Sequence, residues 1–290
     1  MSRKGIVLFA AMCVIWSIPY LLIRIAVREL DPTTVIVGRT AIASVILVPI
    51  ALARGQLRAI ITNWKWIAVF AAVEIGLPWF LMNRAEEHLT SSITAILVAL
   101  VPLVTVVLYR FSSAHEPLTL KRSLGLVLGA SGVVVLVGLD FSRVSIPALC
   151  EMVVVAICYA TGPLIMSTRL SHVPHGAVPA AAFTMVTVAY AIPGVRHLPS
   201  HVSAEVIWSV VVLGVVCSAL AFLVFFPLVE EVGPARSTVV TYLNPAIAVL
   251  LGVAILGEPL TAGLLIGFPI ILGGSVLASL RTTHVAPEAS

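Results

Sequence analysis

The sequence has few charged residues. Only 10% of its 290 residues are Asp, Glu, Lys or Arg, whereas about 25% is usual in a soluble domain. Hydrophobic residues make up 60% of the chain, and the mean hydropathy is +1.13. A chain with so little charge cannot cover itself with a hydrated surface. The composition therefore excludes a soluble globular protein and predicts a polytopic membrane protein.

The sequence also lacks the usual patterns of metal-binding and catalytic residues. Its four cysteines, Cys13, Cys150, Cys158 and Cys217, lie apart in apolar stretches without CxxC spacing. It contains no GxSxG, HExxH or phosphate-binding loop motif, and its basic residues are scattered singly. We therefore predict no metal, no cofactor, no enzymatic activity, no nucleotide-driven pumping and no nucleic-acid partner.

Two stretches of the chain resemble each other. Residues 89–136 and 232–278 each contain an apolar segment with a central proline, then a Glu-Pro-Leu-Thr turn, then a Gly-rich apolar segment. The turns begin at Glu116 and Glu258, which are 142 residues apart. Self-similarity at a fixed spacing indicates a duplicated module. We place the two copies at residues 1–142 and 143–290.

Apolar stretches divide the chain at the length that a bilayer requires, which is about 20 residues for a spanning helix. The predicted helices lie near residues 5–27, 33–53, 64–84, 90–111, 119–140, 146–168, 175–194, 204–229, 234–256 and 260–281. Each copy then holds five helices, and because five is odd, the second copy enters the membrane from the opposite side. The sequence predicts an all-α protein of ten transmembrane helices in two inverted five-helix repeats, a plan typical of secondary transporters.

The basic residues in the loops indicate the orientation. With the N terminus inside, eleven Lys and Arg residues fall on the inner side and five on the outer side. Cytoplasmic loops carry the excess of Lys and Arg. Both termini are therefore expected in the cytoplasm, with the chain in the inner (plasma) membrane.

Two ionisable residues lie deep inside predicted helices. Glu74 lies ten residues into predicted helix 3, at a depth of about 15 Å, and Arg39 lies six residues into predicted helix 2, at about 9 Å. Charged groups at such depth are costly and usually face a wet cavity or a partner. We expect Glu74 to bind a substrate amine or a proton; the alternative is a structural pair or a neutral, hydrogen-bonded carboxyl group.

Arg39 has two interpretations. Its guanidinium group is suited to bidentate binding of a substrate carboxylate. The other interpretation is a structural ion pair between helices, with one of Glu74, Glu86, Glu87 or Glu151 as the partner. Glu151, five residues into predicted helix 6, is also considered for the transport pathway. The sequence favours the ion pair for Arg39.

Polar and aromatic residues near the middle of several helices complete the candidate substrate site. Pro245 lacks a backbone donor and therefore frees carbonyl groups in predicted helix 9, next to Asn244. A simple packing kink is the alternative. The predicted substrate-binding residues besides Glu74 are Trp16, Trp79, Tyr159, Thr241, Tyr242 and Asn244.

Two further features are expected to be structural. Glycines at small-residue spacing in predicted helices 5 and 10 allow close helix packing, within one chain or between two, so monomer and homodimer both stay open. Glu116 and Glu258 each precede a proline at the expected start of a helix, and a carboxylate there complements the helix N-terminus.

Several of these features together resemble the EamA-type transporters of the drug/metabolite transporter superfamily. The resemblance is carried by the run Val14-Ile15-Trp16-Ser17-Ile18-Pro19, by Asp31-Pro32, by Arg39 and by the duplicated proline-centred helix before Glu-Pro-Leu-Thr. It implies a central cavity lined mainly by helices 1, 3, 4, 6, 8 and 9, and export of amino acids or other small metabolites. It covers essentially the whole chain.

We therefore predict a secondary transporter that moves a small organic metabolite, such as an amino acid or a similar amphipathic solute, across the membrane by alternating access, with export favoured. The expected partners are this small-molecule substrate and the lipid bilayer. Proton-coupled antiport and facilitated diffusion both fit a single midplane carboxylate. The alternative function is that of a non-transporting integral membrane protein, such as an intramembrane enzyme or a scaffold.

Overall fold

The computed structural model describes residues 2–111, 119–139, 145–233, 237 and 239–279. Every regular element within these ranges is a helix. We label the successive helical segments α1 (Arg3–Ala26), α2 (Pro32–Ala53), α3 (Leu57–Glu86), α4 (Ser91–Leu108), α5 (Leu120–Leu139), α6 (Ile146–Arg169), α7 (Ala177–Arg196), α8 (Ala204–Val232), α9 (Val240–Leu256) and α10 (Ala262–Ser279).

Most of these segments have the length and composition of membrane-spanning helices. Across the described ranges nine are long and apolar enough to cross a bilayer, and α9 is a shorter apolar helix of 17 residues. At 1.5 Å per residue, α9 measures about 26 Å, slightly less than the roughly 30 Å hydrocarbon core. The prediction of an all-helical, multi-pass membrane protein is confirmed.

The largest boundary error concerns α3, which begins at Leu57 and not near residue 64. Its first turns mix polar and apolar residues, so the apolar pattern alone starts too late. The correction moves Glu74 to about 26 Å from the first residue of α3 and about 18 Å from Glu86, using the helical rise. Glu74 therefore stays near the middle of the segment.

Two segments are interrupted close to a proline. In α1 the first helix ends at Ile15 and a second begins at Ile18, with Pro19 in its first turn. At this break the Ser17 hydroxyl donates to the Cys13 carbonyl oxygen at 2.5 Å. The helix of α4 ends at Val98 and resumes at residue 101, just before a proline. Proline has no backbone N–H to continue the hydrogen-bond ladder, which explains both breaks.

Two segments also contain π-helical turns, which are rare and often mark functional sites. In α3 the π segment is Ala71–Gly76, and in α8 it is Val215–Leu220, so the two begin 144 residues apart. The first contains Glu74 and is followed by Pro78 in the next helical turn. These segments lie at the middle of the two longest helices.

The glycine-rich faces of α5 and α10 pack against each other within the chain. A methyl group added at Gly125 or at Gly274 would overlap backbone atoms of the other helix. Gly132 and Gly267 are similarly close to the opposite helix. Small residues allow helices in membranes to approach closely, so these glycines serve intramolecular packing.

Candidate functional site

Arg39 lies in α2 and is enclosed by α3 and α8, with only 5% of its surface exposed. Its guanidinium carbon is 3.5 Å from the centroid of the Trp79 ring in α3. On the other side, Nε donates to Ser218 Oγ at 2.7 Å, and Nη2 donates to the Cys217 carbonyl oxygen at 3.4 Å. The π segment of α8 supplies both acceptors. Arg39 is therefore fixed between an aromatic ring and a distorted helical turn.

The expected ion pair between Arg39 and a glutamate is not formed. Within the described ranges no carboxylate oxygen lies within 4.0 Å of its guanidinium group, because Trp79, Ser218 and Cys217 occupy that space. Glu151 instead pairs with Arg84 of α3, with 3.0 Å between Nε and Oε1. Arg84 is more than half exposed, so Glu151 belongs to a pair away from Arg39.

Glu74 lies in the π segment of α3 and is half-buried. Its Oε2 atom is buried and accepts no hydrogen bond from the described residues. The carboxylate lies directly against the backbone of Gly162 in α6, where an added methyl group would overlap it. A buried polar atom without a partner is costly, and it is a site where a ligand can supply the missing contact.

Tyr159 of α6 connects the two charged groups. It lies close enough to interact electrostatically with both the Glu74 carboxylate and the Arg39 guanidinium group. Tyr20 of α1 is in the same electrostatic neighbourhood. Of the predicted site residues, the structure thus places Arg39 against Trp79, and Tyr159 interacts electrostatically with both Arg39 and Glu74.

The other predicted residues contact different parts of the bundle. Trp16 packs on Phe225, with 4.8 Å between ring centroids. Asn244 is buried, and with its amide oriented to satisfy its neighbours the nitrogen donates to the Val240 carbonyl at 2.9 Å and the Cys13 carbonyl at 3.2 Å. These contacts join α9 to the break in α1. They agree with a packing role for the middle of α9.

The two remaining predicted residues of α9 differ in their surroundings. Tyr242 donates a hydrogen bond to Ser279 Oγ of α10 at 2.6 Å. Thr241 is exposed on the surface of the helix. The hydroxyl group of Tyr242 therefore joins α9 to α10.

Sequence reasoning missed Glu86 as a buried residue. The predicted end of helix 3 at residue 84 leaves it in a solvated loop, whereas α3 continues to Glu86 and encloses its side chain completely. Both carboxylate oxygens lack a hydrogen-bond partner among the described residues. The adjacent Glu87 is exposed. The sequence has two neighbouring glutamates here and gives no sign of which side chain is buried.

Glu258 caps a helix, but not the helix that the sequence indicates. The α10 helix begins at Ala262, beyond the expected proline. The Glu258 carboxylate instead accepts hydrogen bonds from the backbone N–H and hydroxyl groups of Ser91 and Ser92, at 2.5–3.0 Å. Glu258 lies 167 residues after Ser91 in the chain. The N-terminus of α4 is therefore capped by a residue from the second half of the chain. The expectation for Glu116 lies outside the described residues.

Outside the membrane-spanning segments, one hydrogen bond connects two loops. The Ser203 backbone N–H donates to Glu29 Oε2 at 2.8 Å. This hydrogen bond lowers the pKa of the Glu29 carboxyl group. It ties the loop between α1 and α2 to the start of α8.

Comparison with known proteins identifies the architecture. A sequence model described as the EamA-like transporter family matches the chain twice, over residues 3–138 and 146–280. The chain belongs to the EamA-like transporter family. The family and the names of its relatives indicate a transporter and not an enzyme.

This EamA-like transporter has relatives along almost its whole length. It is 25% identical over 285 residues to the uncharacterized transporter YvbV of Bacillus subtilis, covering 97% of this chain and 93% of that protein. It is 27% identical over 275 residues to the uncharacterized inner membrane transporter YedA of Escherichia coli K12, covering 93% and 89%. A solved crystal structure with 23% identity shares the fold, with a TM-score of 0.67 and coverage of 96% and 98%.

One relative carries a substrate in its name. The probable terminal-alkyne amino-acid exporter of Streptantibioticus cattleyicolor is 25% identical over 282 residues, covering 96% of this EamA-like transporter and 94% of the relative. The name describes that relative alone. In this EamA-like transporter, Tyr159 interacts electrostatically with a cation, Arg39, and with a carboxylate, Glu74.

Proposed function

We propose that this EamA-like transporter moves a small zwitterionic solute, such as an amino acid, and favours export. Arg39 binds the carboxylate of the solute, and Glu74 binds its ammonium group. The observation that carries this proposal is that Arg39 and Glu74 both interact electrostatically with Tyr159, and that neither forms an ion pair within the described residues. A ligand that carries both complementary charges would satisfy both groups at once.

The environment of Arg39 supports its role as the anion site. Ser218 and Cys217 accept from Nε and Nη2, while Nη1 has no protein partner among the described residues. Stacking on Trp79 holds the guanidinium plane in one orientation. Because a guanidinium group presents its donors in a fixed planar fork, the uncommitted donors are suited to a carboxylate.

The environment of Glu74 supports its role as the cation site. Its carboxylate is near the middle of α3, and Oε2 lacks a hydrogen-bond donor. A carboxylate in a membrane helix is costly and is retained where it contacts a substrate, an ion or a proton. Tyr159, which interacts electrostatically with both charged groups and is only partly buried, offers aromatic surface for the remainder of the solute.

The substrate class also agrees with the relatives. One of them is named a probable terminal-alkyne amino-acid exporter, and its substrate would carry the same pair of charges. At 25% identity the likeness supports an amino acid or a close analogue as cargo without specifying the side chain. The name also supports export as the direction.

We further propose that transport proceeds by alternating access between two inverted repeats, at residues 1–142 and 143–290. The double match of the family model and the two π segments 144 residues apart support this division. Ten spanning helices follow if the short α9 crosses a locally thin part of the bilayer. The protein would lie in the inner membrane with both termini in the cytoplasm.

The test of substrate class is flux in proteoliposomes that contain the purified full chain. A panel of labelled amino acids is compared with two derivatives of each transported compound: the N-acetyl form, which lacks the ammonium group, and the amide, which lacks the carboxylate. We expect wild type to move the zwitterion about tenfold or more faster than either derivative, since each lost charge contact is worth at least about 1.4 kcal/mol.

Two variants test in the same flux assay which residue binds each charge of the solute. Glu74→Gln should lose the preference for the free amine, and Arg39→Gln should lose the preference for the free carboxylate. Glu87→Gln and Arg28→Gln are the matched controls because both residues are exposed, and they should behave as wild type. If wild type transports the derivatives as fast as the amino acid, or if it moves no amino acid, the zwitterion proposal is wrong.

A further inference from the structure

Glu86 is the most completely buried carboxylate among the described residues. Its side chain has no exposed surface, and neither carboxylate oxygen accepts a hydrogen bond from the described residues. It lies at the end of α3, about 18 Å along the helix from Glu74 by the helical rise, and the substrate-binding proposal does not use it. Its burial therefore needs a separate explanation.

The charged and titratable groups that face Glu86 come from three parts of the fold. They are Tyr20 and Arg24 of α1, Arg39 of α2, and Glu258 before α10. None of these cations forms an ion pair with the Glu86 carboxylate within 4.0 Å in the described part of the chain. The nearer one, Arg24, donates from Nη1 to the backbone carbonyl oxygen of Glu86.

The nearby carboxylate of Glu258 also favours a neutral Glu86. Glu258 accepts four hydrogen bonds from Ser91 and Ser92, so its carboxylate already has its donors and offers none to Glu86. A second negative charge nearby would be repelled. An ionised carboxylate buried without donors is also far more costly than a protonated one.

We propose that Glu86 is a proton-binding site that is loaded when this end of the bundle closes. Closure moves the carboxylate out of water, and the carboxylate takes up one proton from the aqueous side to become a neutral carboxyl group. Opening separates Glu258 from Ser91 and Ser92, hydrates Glu86 and releases the proton. Closing and opening are thereby linked to proton uptake and release at one residue.

This inference rests on the proposed alternating access but not on the identity of the cargo. Because the proton is taken up from and released to the same aqueous side, it does not cross the membrane; it changes how readily this end of the bundle closes. Its physical basis is the burial of Glu86, together with the hydrogen bonds that Arg24 makes to the Glu86 backbone carbonyl and Glu258 makes with Ser91 and Ser92. Glu74, which remains half-buried, is free to serve the solute.

The first test examines protonation without any transport assay. Purified full chain in lipid nanodiscs is treated near neutral pH with dicyclohexylcarbodiimide, which modifies protonated carboxyl groups in apolar surroundings, and the modified peptides are assigned by mass spectrometry. We expect modification at Glu86 and none at the adjacent exposed Glu87. In the infrared spectrum, Glu86→Gln should remove a protonated-carboxyl band that Glu87→Gln retains.

The second test examines pH dependence. For any transported cargo, a change of one pH unit on the side that Glu86 faces should change the ratio of closed to open wild-type molecules, and with it the flux, by up to about tenfold for one bound proton. The same change should leave Glu86→Gln unaffected, while Glu87→Gln should behave as wild type. Retention of the full pH response in Glu86→Gln would overturn the proposal.

The two tests separate this inference from the proposed function. If wild-type Glu86 is unmodified by the carbodiimide and its substitution removes no infrared band, the residue is ionised and the proton-site proposal fails, whatever the chain transports. If Glu86 is modified but no amino acid moves, the zwitterion proposal fails and the proton site stands. Because the labelling uses wild type, the result does not depend on how well a variant folds.

Discussion

Gly162 determines where the Glu74 carboxylate can lie. A methyl group at this position of α6 would overlap the carboxylate, and the overlapping atoms are the end of a flexible side chain that can swing away. Gly162→Ala should therefore leave folding intact, since alanine is favoured over glycine in a helix by about 0.5–1 kcal/mol. It should displace the carboxylate and weaken cargo binding about tenfold, or about 1.4 kcal/mol.

The measurement for Gly162→Ala is the concentration dependence of flux together with thermal unfolding in detergent. Gly138→Ala in α5 is the control, because a methyl group there meets no atom within 4 Å. The control should match wild type in flux. If Gly162→Ala also matches wild type, the position of the Glu74 carboxylate does not matter for binding, and its proposed role is wrong.

For single residues, the sequence predicts the depth in a helix but not the contacts of the side chain. The depth of Arg39 and Glu74 in their helices follows from counting along apolar stretches. The hydrogen-bond partners of Arg39 cannot be found in this way. Ser218 is 179 residues away in the chain, and no sequence motif around it indicates a buried polar contact. Asn244 shows the reverse case: it is correctly placed in mid-helix, but it binds backbone carbonyls of α9 and α1.

At the scale of elements, the Glu258 cap is the contact that holds α4 to the second half of the chain. Its carboxylate accepts four hydrogen bonds in a buried position. Gly252 leaves the necessary room, since a methyl group there would press on Glu258 and both serines. Glu258→Ala should therefore lower the free energy of unfolding by about 2–4 kcal/mol, because buried donors lose a charged acceptor.

Thermal unfolding of the purified protein measures this effect. Glu205→Ala, which removes an exposed glutamate from the first turn of α8, should leave the unfolding temperature nearly unchanged. Ser91→Ala removes one hydroxyl donor and keeps the backbone donor, so it should show an intermediate loss. Equal unfolding temperatures for Glu258→Ala and wild type would show that the cap contributes nothing to stability.

The elements differ in how well the sequence predicts them. Spanning helices are predictable because a bilayer demands about 20 apolar residues and leaves few alternatives. The start of α3 is missed because its first two turns are polar enough to resemble a loop. The π segments are not predicted at all, since one added residue in a turn leaves the composition of an apolar helix unchanged. The proposed site nevertheless depends on them, because they carry Glu74, Cys217 and Ser218.

At the scale of the whole molecule, the tight packing of α5 on α10 and the cap of Glu258 on α4 both connect one half of the chain to the other. Movement between the proposed repeats must therefore pivot around the close glycine contacts, which cannot separate without losing their packing. The Glu258 cap can open, because water is able to replace its hydrogen bonds. If the proposed repeats move, we therefore expect the pivot at α5 and α10 and the moving end at the N-terminus of α4.

The orientation of the molecule decides which side of the membrane that moving end faces. If both termini are cytoplasmic, the loop that contains Arg28 is outside and the exposed end of α2 at Arg54 is inside. We expect Arg28→Cys to react with a membrane-impermeant maleimide in intact cells, and Arg54→Cys to react only after permeabilisation. Both are made in a Cys150→Ser background, because Cys150 is the exposed natural cysteine among the described residues while Cys13, Cys158 and Cys217 are buried. The reverse labelling pattern would place Glu86 and Glu258 at the cytoplasmic end, and the proton that loads Glu86 would then come from the cytoplasm.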